Sequence, residues 1–496
     1  MSRIDQAVIL AAGLGSRIRG ESKATPKPLV RCGGITLLKR TMLTAAREGV
    51  RRFVLVVGCQ GDEVQAAIDG DPDLAHLERV WVYNEDFKLK NGVSVLKARP
   101  HVQGEFFLMM SDHIVDRAIF RTLQSEPARG GLVLAVDYKL DTIFDMDDAT
   151  KVKVAPHTQV LSSGLRPTVA IAQIGKEIPE FDAVDTGVFR VDPVLFEHLE
   201  AVFNVKGDTS LSDGVQALAK QGKARVADVG HAWWQDVDTP ETRVYGDAML
   251  LGMLGRPDDG PVSKAVNRRL SRPITARLKD TRIQPQHITF ASLFLGLAAA
   301  ALVATATGWW ALALGGLFYQ LTSILRGVDG ELARLRMQDS EKGAWLDTVT
   351  DDIAHLAFLV AVGLGTSRLT GEPLWLGIAL ATAGAGALLM GNLYFALRAL
   401  GLGAHRSLDW RFRNDGENAF QRFCARFAFL AGRDVQAALL MTLALTGAVG
   451  LQVALILSFL VVLGVSGQYV STRVRANALR LAKATDRPRE ISRFAE

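Results

Sequence analysis

The distribution of apolar residues divides this chain into two parts that require different environments. Residues 1–255 mix charged and apolar side chains as water-soluble domains do, whereas long apolar runs dominate residues 286–472. Runs of this length match the hydrocarbon thickness of a bilayer. Because 496 residues also exceed the usual size of one hydrophobic core, the sequence predicts a soluble domain followed by an all-α transmembrane domain.

The soluble part alternates short apolar runs with helical patterns. Strands are predicted at residues 7–12, 52–58, 80–83 and 106–110, and helices at residues 37–48 and 62–68. This alternation indicates βαβ units and mostly parallel strands. Residues 130–255 complete the domain in mixed α/β style, so we expect a Rossmann-like mixed sheet.

A turn-rich sequence, GRPDDG at residues 255–260, marks the predicted domain boundary. The basic, amphipathic segment 262–279 follows it, and we expect a helix along the membrane surface, with a solvated linker helix as the alternative. The predicted limits are 1–255 for the soluble domain, 256–285 for the linker and juxtamembrane helix, 286–475 for the membrane domain and 476–496 for a basic cytoplasmic tail.

Six transmembrane helices are predicted, near residues 288–305, 309–325, 350–366, 374–396, 435–450 and 453–471. The segments after the second, fourth and sixth carry most of the neighbouring arginines and lysines, among them Arg334, Arg336, Lys342, Arg398, Arg406, Arg411, Arg413, Arg473 and Arg475. Because positive residues favour the cytoplasmic side, we expect a multi-pass protein of the cell (inner or plasma) membrane with both termini in the cytoplasm. The apolar run at residues 4–12 is too short for a signal peptide, which agrees with a cytoplasmic soluble domain.

The net charge of +5 has the same explanation, since the basic residues cluster beside the apolar runs and no nucleic-acid-binding motif is present. We therefore expect a lipid bilayer as a partner and no nucleic acid. Cys32, Cys59 and Cys424 are far apart and have no zinc-site spacing, so we expect reduced thiols.

A glycine-rich loop follows the first predicted strand. Its backbone N–H groups can bind a triphosphate, while Arg17 and Lys27 can offset the phosphate charge. The spacing GxGxR differs from the GxGxxG of dinucleotide-binding turns. Together with Lys27-Pro28-Leu29, the loop resembles the signature of sugar-phosphate nucleotidyltransferases. The resemblance implies catalytic roles for Arg17 and Lys27 and nucleotide contacts by Leu10, Ala11, Ala12, Gly13, Gly15 and Ser16, with Asn91 and Ser94 as weaker nucleotide-binding candidates.

Three later segments agree with this resemblance: MSDH at residues 110–113, DTG at 185–187 and WQDVDT at 234–239. In that chemistry an alcohol phosphate attacks the α-phosphorus of a nucleoside triphosphate, and a divalent cation neutralises the anionic oxygens while pyrophosphate leaves. The resemblance implies magnesium ligands, with manganese as a substitute, at Asp112, Asp236 and Asp238, and acceptor binding by Asp185 and Lys151.

A second motif lies in the apolar part. Asp329-Gly330, Ala333-Arg334, Gly343, Asp347 and Asp351 follow one another with the spacing of the CDP-alcohol phosphotransferase signature, which this segment resembles. Residues 285–289, PQHIT, resemble the beginning of that family's first span. The resemblance implies metal ligands at Asp329, Asp347 and Asp351, a catalytic role for Asp351 in activating the acceptor hydroxyl, and nucleotide contacts at Gly330 and Arg334.

Arg326 departs from that signature, because the family has an aspartate three residues before Asp329. One interpretation is that Arg326 pairs with Asp329 or a lipid phosphate and orients the helix. The other is that it displaces a metal ligand and weakens transfer, which leaves the membrane domain impaired or a mere anchor. His355 continues the face of Asp347 and Asp351, and we expect it to be a packed side chain.

Over nearly its whole length the chain resembles the family of bifunctional inositol-1-phosphate cytidylyltransferases and di-myo-inositol-phosphate-phosphate synthases, through FDAVDTGVF, WWQDVDT, SKAVNRRLSRPIT and FYQLTSIL. The resemblance implies that the soluble domain makes CDP-inositol from CTP and inositol 1-phosphate. The membrane domain then transfers phosphoinositol to a second inositol 1-phosphate and releases CMP, and two copies pair through this domain. The alternative keeps both folds but activates another alcohol phosphate or a phosphonate and transfers it to a lipid.

Overall fold

The structure is a computed structural model, and it describes residues 3–19, 25–156, 168–256, 259–400 and 419–485. Contacts within the chain divide it into two compact units, Met1–Met253 and Leu254–Glu496, which are described separately. The basic residues Arg406, Arg411 and Arg413 and the end of the predicted tail, residues 486–496, lie outside the described residues. The side chains from residue 471 onward, and that of Cys424, are also outside the description.

The first unit contains a nine-stranded mixed sheet in the order β5-β4-β1-β6-β11-β8-β12-β10-β9. Strands β5, β4, β1 and β6 run parallel, whereas β11 runs antiparallel to both β6 and β8. The strands are β1 Gln6–Ala11, β2 Arg31–Cys32, β3 Ile35–Thr36, β4 Arg52–Val57, β5 Glu78–Tyr83, β6 Phe106–Met110, β7 His113–Val115, β8 Leu132–Asp137, β9 Lys151–Val154, β10 Val169–Gly175, β11 Ala183–Val191, β12 Ala224–Asp228 and β13 Trp234–Asp236. The predicted strands and the α/β class are confirmed.

Helices cover this sheet and explain why its central strands are apolar throughout. Val8, Val54 and Phe106 are fully or almost fully buried, as expected where a parallel sheet is covered on both faces. The helices are α1 Ser16–Arg19, α2 Leu37–Arg47, α3 Gly61–Asp69, α4 Asn91–Lys97, α5 Arg117–Ser125, α6 Val194–Lys206, α7 Leu211–Ala219 and α8 Pro240–Gly252.

Strand register brings the distant motifs of this unit to one edge of the sheet. Leu10 of β1 pairs with Met110 of β6, so the loop after β1 and the segment containing Asp112 leave the sheet side by side. A small two-stranded sheet then pairs His113 of β7 with Asp236 of β13. This pairing places Asp236 and Asp238 near Asp112. Ligand sites usually lie at the carboxyl ends of parallel strands, as here.

The second unit is helical. Its helices are α9 Arg268–Leu278, α10 Pro285–Ala304, α11 Trp309–Leu335, α12 Glu341–Thr370, α13 Leu374–Leu400, α14 Ala419–Arg426, α15 Arg433–Ala444 and α16 Ala448–Thr485. Within the described residues, five helices are long and apolar enough to cross a membrane: α10, α11, α12, α13 and α16.

The predicted fifth span does not reach a full membrane crossing. Helix α15 contains 12 residues and ends at Ala444, and Gly447 takes a positive φ of 84° before α16 begins. Twelve helical residues rise about 18 Å, which is less than a hydrocarbon core of about 30 Å. The prediction of one helix over residues 435–450 was therefore wrong, and the count of six spans is not confirmed. The prediction failed because the sequence stays apolar through the turn, where Gly447 adopts the left-handed conformation that glycine favours.

The juxtamembrane segment is helical, as predicted, but one of its arginines faces protein. A π-helical turn, Ser263–Asn267, leads into α9, which packs on α11. Arg268 donates to Asp259 at 2.7 Å and to Glu331 at 2.8 Å. The Glu331 side chain is fully buried. Arg269 and Arg277 remain exposed.

Candidate functional site

The loop after β1 lines a cavity of about 370 Å³. Gly15 has a φ of +62°, and a Cβ atom there would collide with the side chain of Lys27, so the loop needs glycine at this position. The predicted nucleotide-binding residues that line this cavity are Leu10, Ala11, Ala12, Gly13, Gly15, Ser16, Arg17, Lys27, Asn91 and Ser94. The volume lies in the usual range for small-molecule sites.

Two of these residues are held by neighbouring elements. The side-chain carbonyl of Asn91 accepts a hydrogen bond from the backbone N–H of Leu211 at 2.9 Å. The buried hydroxyl of Ser94 accepts one from the side-chain amide of Asn84 at 2.9 Å. Both side chains are thus fixed before any nucleotide binds.

A second cavity of about 550 Å³ adjoins the first and shares Arg17, Lys27, Asp112 and Asp238 with it. Asp185 is among its own lining residues. Two adjoining cavities with common charged residues suit a reaction between two bound substrates. The shared residues mark the place where the reacting groups would meet.

The shared cations and carboxylates pair with one another. The ammonium group of Lys27 lies 2.5 Å from Asp112 and also contacts Asp238. Arg17 contacts Asp238 and lies 2.8 Å from Asp148. Burial alone would raise the pKa of Asp112, but the charges of Lys27 and His113 and the hydrogen bonds to the carboxylate together outweigh burial and lower that pKa to about 2. Asp112 is therefore ionised, as a metal ligand must be.

Two overlapping sets of groups could each hold one cation, with their oxygen or nitrogen atoms within 4.8 Å of one another. The sets are Asp112, His113 and Asp236, and Asp148, Asp236 and Asp238. Within the described part of the chain, the buried Oδ1 atom of Asp236 has no hydrogen-bond partner, although His113 approaches it to 3.7 Å. A buried, unbonded carboxylate oxygen beside other carboxylates fits a divalent cation, as these families generally use.

The predicted DTG segment lies against His113. Gly187 has a φ of +77°, and a Cβ atom there would overlap the His113 ring, whose Nδ1 atom lies 2.8 Å from the Thr186 carbonyl oxygen. Asp185 accepts a hydrogen bond from the Gly187 N–H at 2.7 Å. Burial raises the pKa of Asp185 to about 6. The Asp185 side chain is thus held in position and lines the larger cavity.

Lys151 is not brought to these cavities. Its ammonium group donates to the carbonyl of Lys176 at 3.0 Å and lies 5.7 Å from the centre of the Phe181 ring. Lys176 lines the larger cavity instead and donates to Asp148, the partner of Arg17, at 2.6 Å. Lys151 lies in β9 and Lys176 directly follows β10, whose Gly175 pairs with Lys151, so the two lysines are neighbours in space and the sequence does not show which one reaches the cavity.

The two motif segments of the membrane unit contact each other. Thr289, on α10, donates to Asp329, on α11, at 2.7 Å, and both side chains are buried. Among the described residues, the group nearest to a Cβ atom built at Gly330 is the Arg334 guanidinium, and no neighbouring helix packs closely there. Arg334 donates to the Leu254 carbonyl at 2.7 Å.

Among the described residues, Arg326 pairs with Asp351 rather than with Asp329. The guanidinium of Arg326 forms an ion pair with the Asp351 carboxylate. Arg433 approaches the same carboxylate to 3.7 Å. The sequence did not single out Arg433 as a site residue. It lies about eighty residues after Asp351, and a separation of this size leaves no local pattern.

The acidic residues of the second motif do not form a three-ligand group. Among the described residues, the sets able to hold one cation lie in the first unit, and Asp329, Asp347 and Asp351 do not form another. The metal role that the resemblance implies for these three carboxylates therefore stays a prediction. The expectation of a packed His355 holds: it is buried, and its Nδ1 atom lies 2.6 Å from the Tyr319 hydroxyl.

Comparison with known proteins matches the two parts of the chain to two different families. Residues 7–171 match the MobA-like NTP transferase domain, and residues 282–407 match the CDP-alcohol phosphatidyltransferase family. A bifunctional IPC transferase and DIPP synthase of Rubrobacter xylanophilus is 35% identical over 90% of this chain and 91% of its own length. The protein of the same name from Aquifex aeolicus is 33% identical over 73% of this chain and 77% of its own length.

The solved inositol-1-phosphate CTP transferase from T. maritima is 29% identical, covers 49% of this chain and 92% of its own length, and has a TM-score of 0.43. The chain is an enzyme with a nucleotidyltransferase domain and a CDP-alcohol phosphotransferase domain. Since identity of 35% extends over nine-tenths of the chain, this protein belongs to the family of bifunctional IPC transferases and DIPP synthases.

Proposed function

We propose that the first domain, residues 1–255, transfers the cytidylyl group of CTP to inositol 1-phosphate. The single observation that carries this proposal is that two cavities of about 370 and 550 Å³ share Arg17, Lys27, Asp112 and Asp238. The family membership supports CTP and inositol 1-phosphate as the pair of substrates.

In this reaction the loop after β1 binds the triphosphate through its backbone N–H groups. An oxygen of the alcohol phosphate attacks the α-phosphorus, the bond to the bridging oxygen breaks, and pyrophosphate leaves. Arg17 and Lys27 exchange their carboxylate partners for phosphate oxygens. Asp112, Asp236 and Asp238 would hold Mg²⁺, whose charge would offset that of the anionic oxygens of the reacting phosphates. Asp185 orients the acceptor.

The membrane domain, residues 286–475, then transfers phosphoinositol from CDP-inositol to a second inositol 1-phosphate. An acceptor hydroxyl oxygen attacks the phosphorus that carries inositol, the bond from that phosphorus to the CMP oxygen breaks, and Asp351 takes the hydroxyl proton. Gly330 leaves space for the nucleotide to approach, because among the described residues no neighbouring helix packs closely there.

The family's membrane location and the five long apolar helices support a multi-pass protein. We place the first domain, the arginine-rich segments and the C-terminus on the cytoplasmic side, since arginine and lysine accumulate there. Pairing of two copies through the membrane domain stays a prediction.

Incubating the full chain with CTP, Mg²⁺ and inositol 1-phosphate should release pyrophosphate and form CDP-inositol, and later CMP. Replacing inositol 1-phosphate with 2-aminoethylphosphonate or glycerol phosphate should lower pyrophosphate release at least tenfold. We also expect residues 1–255 alone to release pyrophosphate, because the residues that line the two cavities all precede residue 255. A folded fragment that is inactive with every alcohol phosphate would contradict the domain assignment.

The position of Lys176 predicts a substrate-specific defect. Lys176→Ala should raise the KM for inositol 1-phosphate roughly tenfold to a hundredfold, since a charge-assisted hydrogen bond contributes about 1.5–3 kcal/mol. The KM for CTP should change little. Lys151→Ala is the matched control, because its ammonium group faces a backbone carbonyl and an aromatic ring. Equal effects of the two substitutions would argue against the role of Lys176.

A further inference from the structure

His113 follows Asp112 directly in the chain, and its ring is fixed by three neighbours. The Nδ1 atom of the ring lies 2.8 Å from the carbonyl oxygen of Thr186. One face of the ring stacks on Trp234, with 5.8 Å between the ring centres. Gly187 has no Cβ atom, which allows the backbone to pass close to the ring. The His113 side chain therefore has one defined orientation.

The contact with Thr186 determines which nitrogen atom of the His113 ring carries a proton. A carbonyl oxygen only accepts hydrogen bonds, so Nδ1 of the ring is the donor. In the neutral imidazole the other nitrogen, Nε2, then has no proton and presents a lone pair. A lone pair at Nε2 can bind a metal ion, whereas it cannot donate to a carboxylate.

Two carboxylates lie beside this Nε2 atom. The distance from Nε2 of His113 is 3.8 Å to Oδ1 of Asp112 and 3.7 Å to Oδ1 of Asp236. Both distances are too long for a hydrogen bond, and a charge-assisted hydrogen bond would be shorter still, at about 2.7–2.9 Å. The geometry therefore favours a neutral ring over an imidazolium that pairs with these carboxylates.

The two carboxylate oxygens suit a shared cation. Within the described residues, the buried Oδ1 atom of Asp236 has no hydrogen-bond partner. In Asp112, Lys27 contacts the other oxygen, Oδ2, at 2.5 Å. Asp112, His113 and Asp236 each offer one ligand atom, and these atoms lie within 4.8 Å of one another. Imidazole nitrogen and carboxylate oxygen are both common ligands of divalent metal ions.

We propose that Nε2 of His113 is a ligand of the divalent cation in the first domain, beside Asp112 and Asp236. Metal-binding histidines usually donate their other ring N–H to a carbonyl or carboxylate oxygen, which fixes the tautomer, and Thr186 supplies such a carbonyl here. The inference rests on the metal-assisted cytidylyl transfer proposed for this domain.

A nitrogen ligand changes which ions the site prefers. Mg²⁺ is bound mainly by oxygen ligands, whereas the affinity of sites that contain nitrogen rises from Mn²⁺ to the later transition metals. We therefore expect His113 to strengthen the binding of Mn²⁺ more than that of Mg²⁺.

Pulsed electron paramagnetic resonance, with Mn²⁺ alone added to the full chain in detergent, tests the proposal without any activity measurement. A directly bound nitrogen nucleus modulates the electron spin echo of Mn²⁺, and we expect this modulation in the wild type. His113→Asn should remove it, because the asparagine amide can still donate to Thr186 but has no counterpart of Nε2. The variant should also bind Mn²⁺ at this site roughly tenfold to a hundredfold more weakly, with a smaller loss for Mg²⁺.

His231→Asn is the matched control. His231 lines the larger cavity but belongs to neither cation-binding set of the described residues. The nitrogen modulation should persist in this variant. Absence of the modulation in the wild type at saturating Mn²⁺ would overturn the proposal, and so would modulation that persists in His113→Asn.

Asp236→Ala keeps the test valid if His113→Asn does not fold. It leaves the His113 ring in place and removes the oxygen that lies 3.7 Å from Nε2. At Mn²⁺ concentrations that saturate the wild type, this variant should lose the nitrogen modulation, and unchanged modulation would contradict the proposal. Because these readings record the ligands of the ion, an error in the proposed alcohol substrate leaves them unchanged and appears only in the product assay.

Discussion

Asp112→Ala is expected to lower the rate of cytidylyl transfer roughly a hundredfold to a thousandfold. The Asp112 carboxylate belongs to the cation-binding set with His113 and Asp236, and Lys27 keeps it ionised. Losing a metal ligand removes several kcal/mol of transition-state stabilisation, and each 1.4 kcal/mol is a factor of ten in rate. Pyrophosphate release from CTP and inositol 1-phosphate is the measurement.

Two controls separate this effect from a loss of folding. Asp147→Ala removes an exposed carboxylate next to Asp148 that does not line the cavity, and it should keep nearly full activity. The Asp112→Ala protein should still consume added CDP-inositol through its membrane domain. A cytidylyl transfer rate within tenfold of the wild type would contradict the metal role of Asp112.

Asp329→Asn should impair the reaction of the membrane domain and leave cytidylyl transfer unchanged. We expect transfer from CDP-inositol to fall at least roughly a hundredfold, because the resemblance implies that Asp329 is a metal ligand and a neutral asparagine amide is a poorer ligand for a divalent cation than a carboxylate. Asparagine retains an oxygen that can accept the Thr289 hydrogen bond of 2.7 Å, so the contact between α10 and α11 should persist. Measurement of CMP release from supplied CDP-inositol gives the result.

The Asp329→Asn protein should release pyrophosphate at the wild-type rate, and this unchanged reaction is the internal control for folding. Together the two variants assign each reaction to one domain. If either substitution abolished both reactions in well-folded protein, the independence of the two domains would be wrong.

Local sequence patterns predicted much of the site because they depend on neighbouring residues. The glycine loop before Arg17, the carboxylate Asp112 at a strand end and the spacing of Asp329, Asp347 and Asp351 all follow from short segments with definite chemistry. The position of the loop before Arg17 and of Asp112 at one sheet edge also follows from the general rules of α/β topology.

Choices between similar neighbours were not predictable. Lys151 lies in β9 and Lys176 directly follows the neighbouring strand β10, and only the direction of each side chain decides that Lys176 reaches the cavity. The end of α15 at Ala444 depends on a single turn at Gly447 within a continuous apolar run. Neither outcome is recorded in composition or spacing.

The sequence by itself determined the two domains, the strands around the nucleotide loop, and the substitution of an arginine for an acidic residue at position 326. Only the tertiary structure decided that Arg326 pairs with Asp351, and that Arg433, Asp352 and Tyr394 surround this pair. The physical reason is that a motif consists of residues close together in the sequence. The partner of a buried charge depends instead on how helices from distant parts of the chain pack.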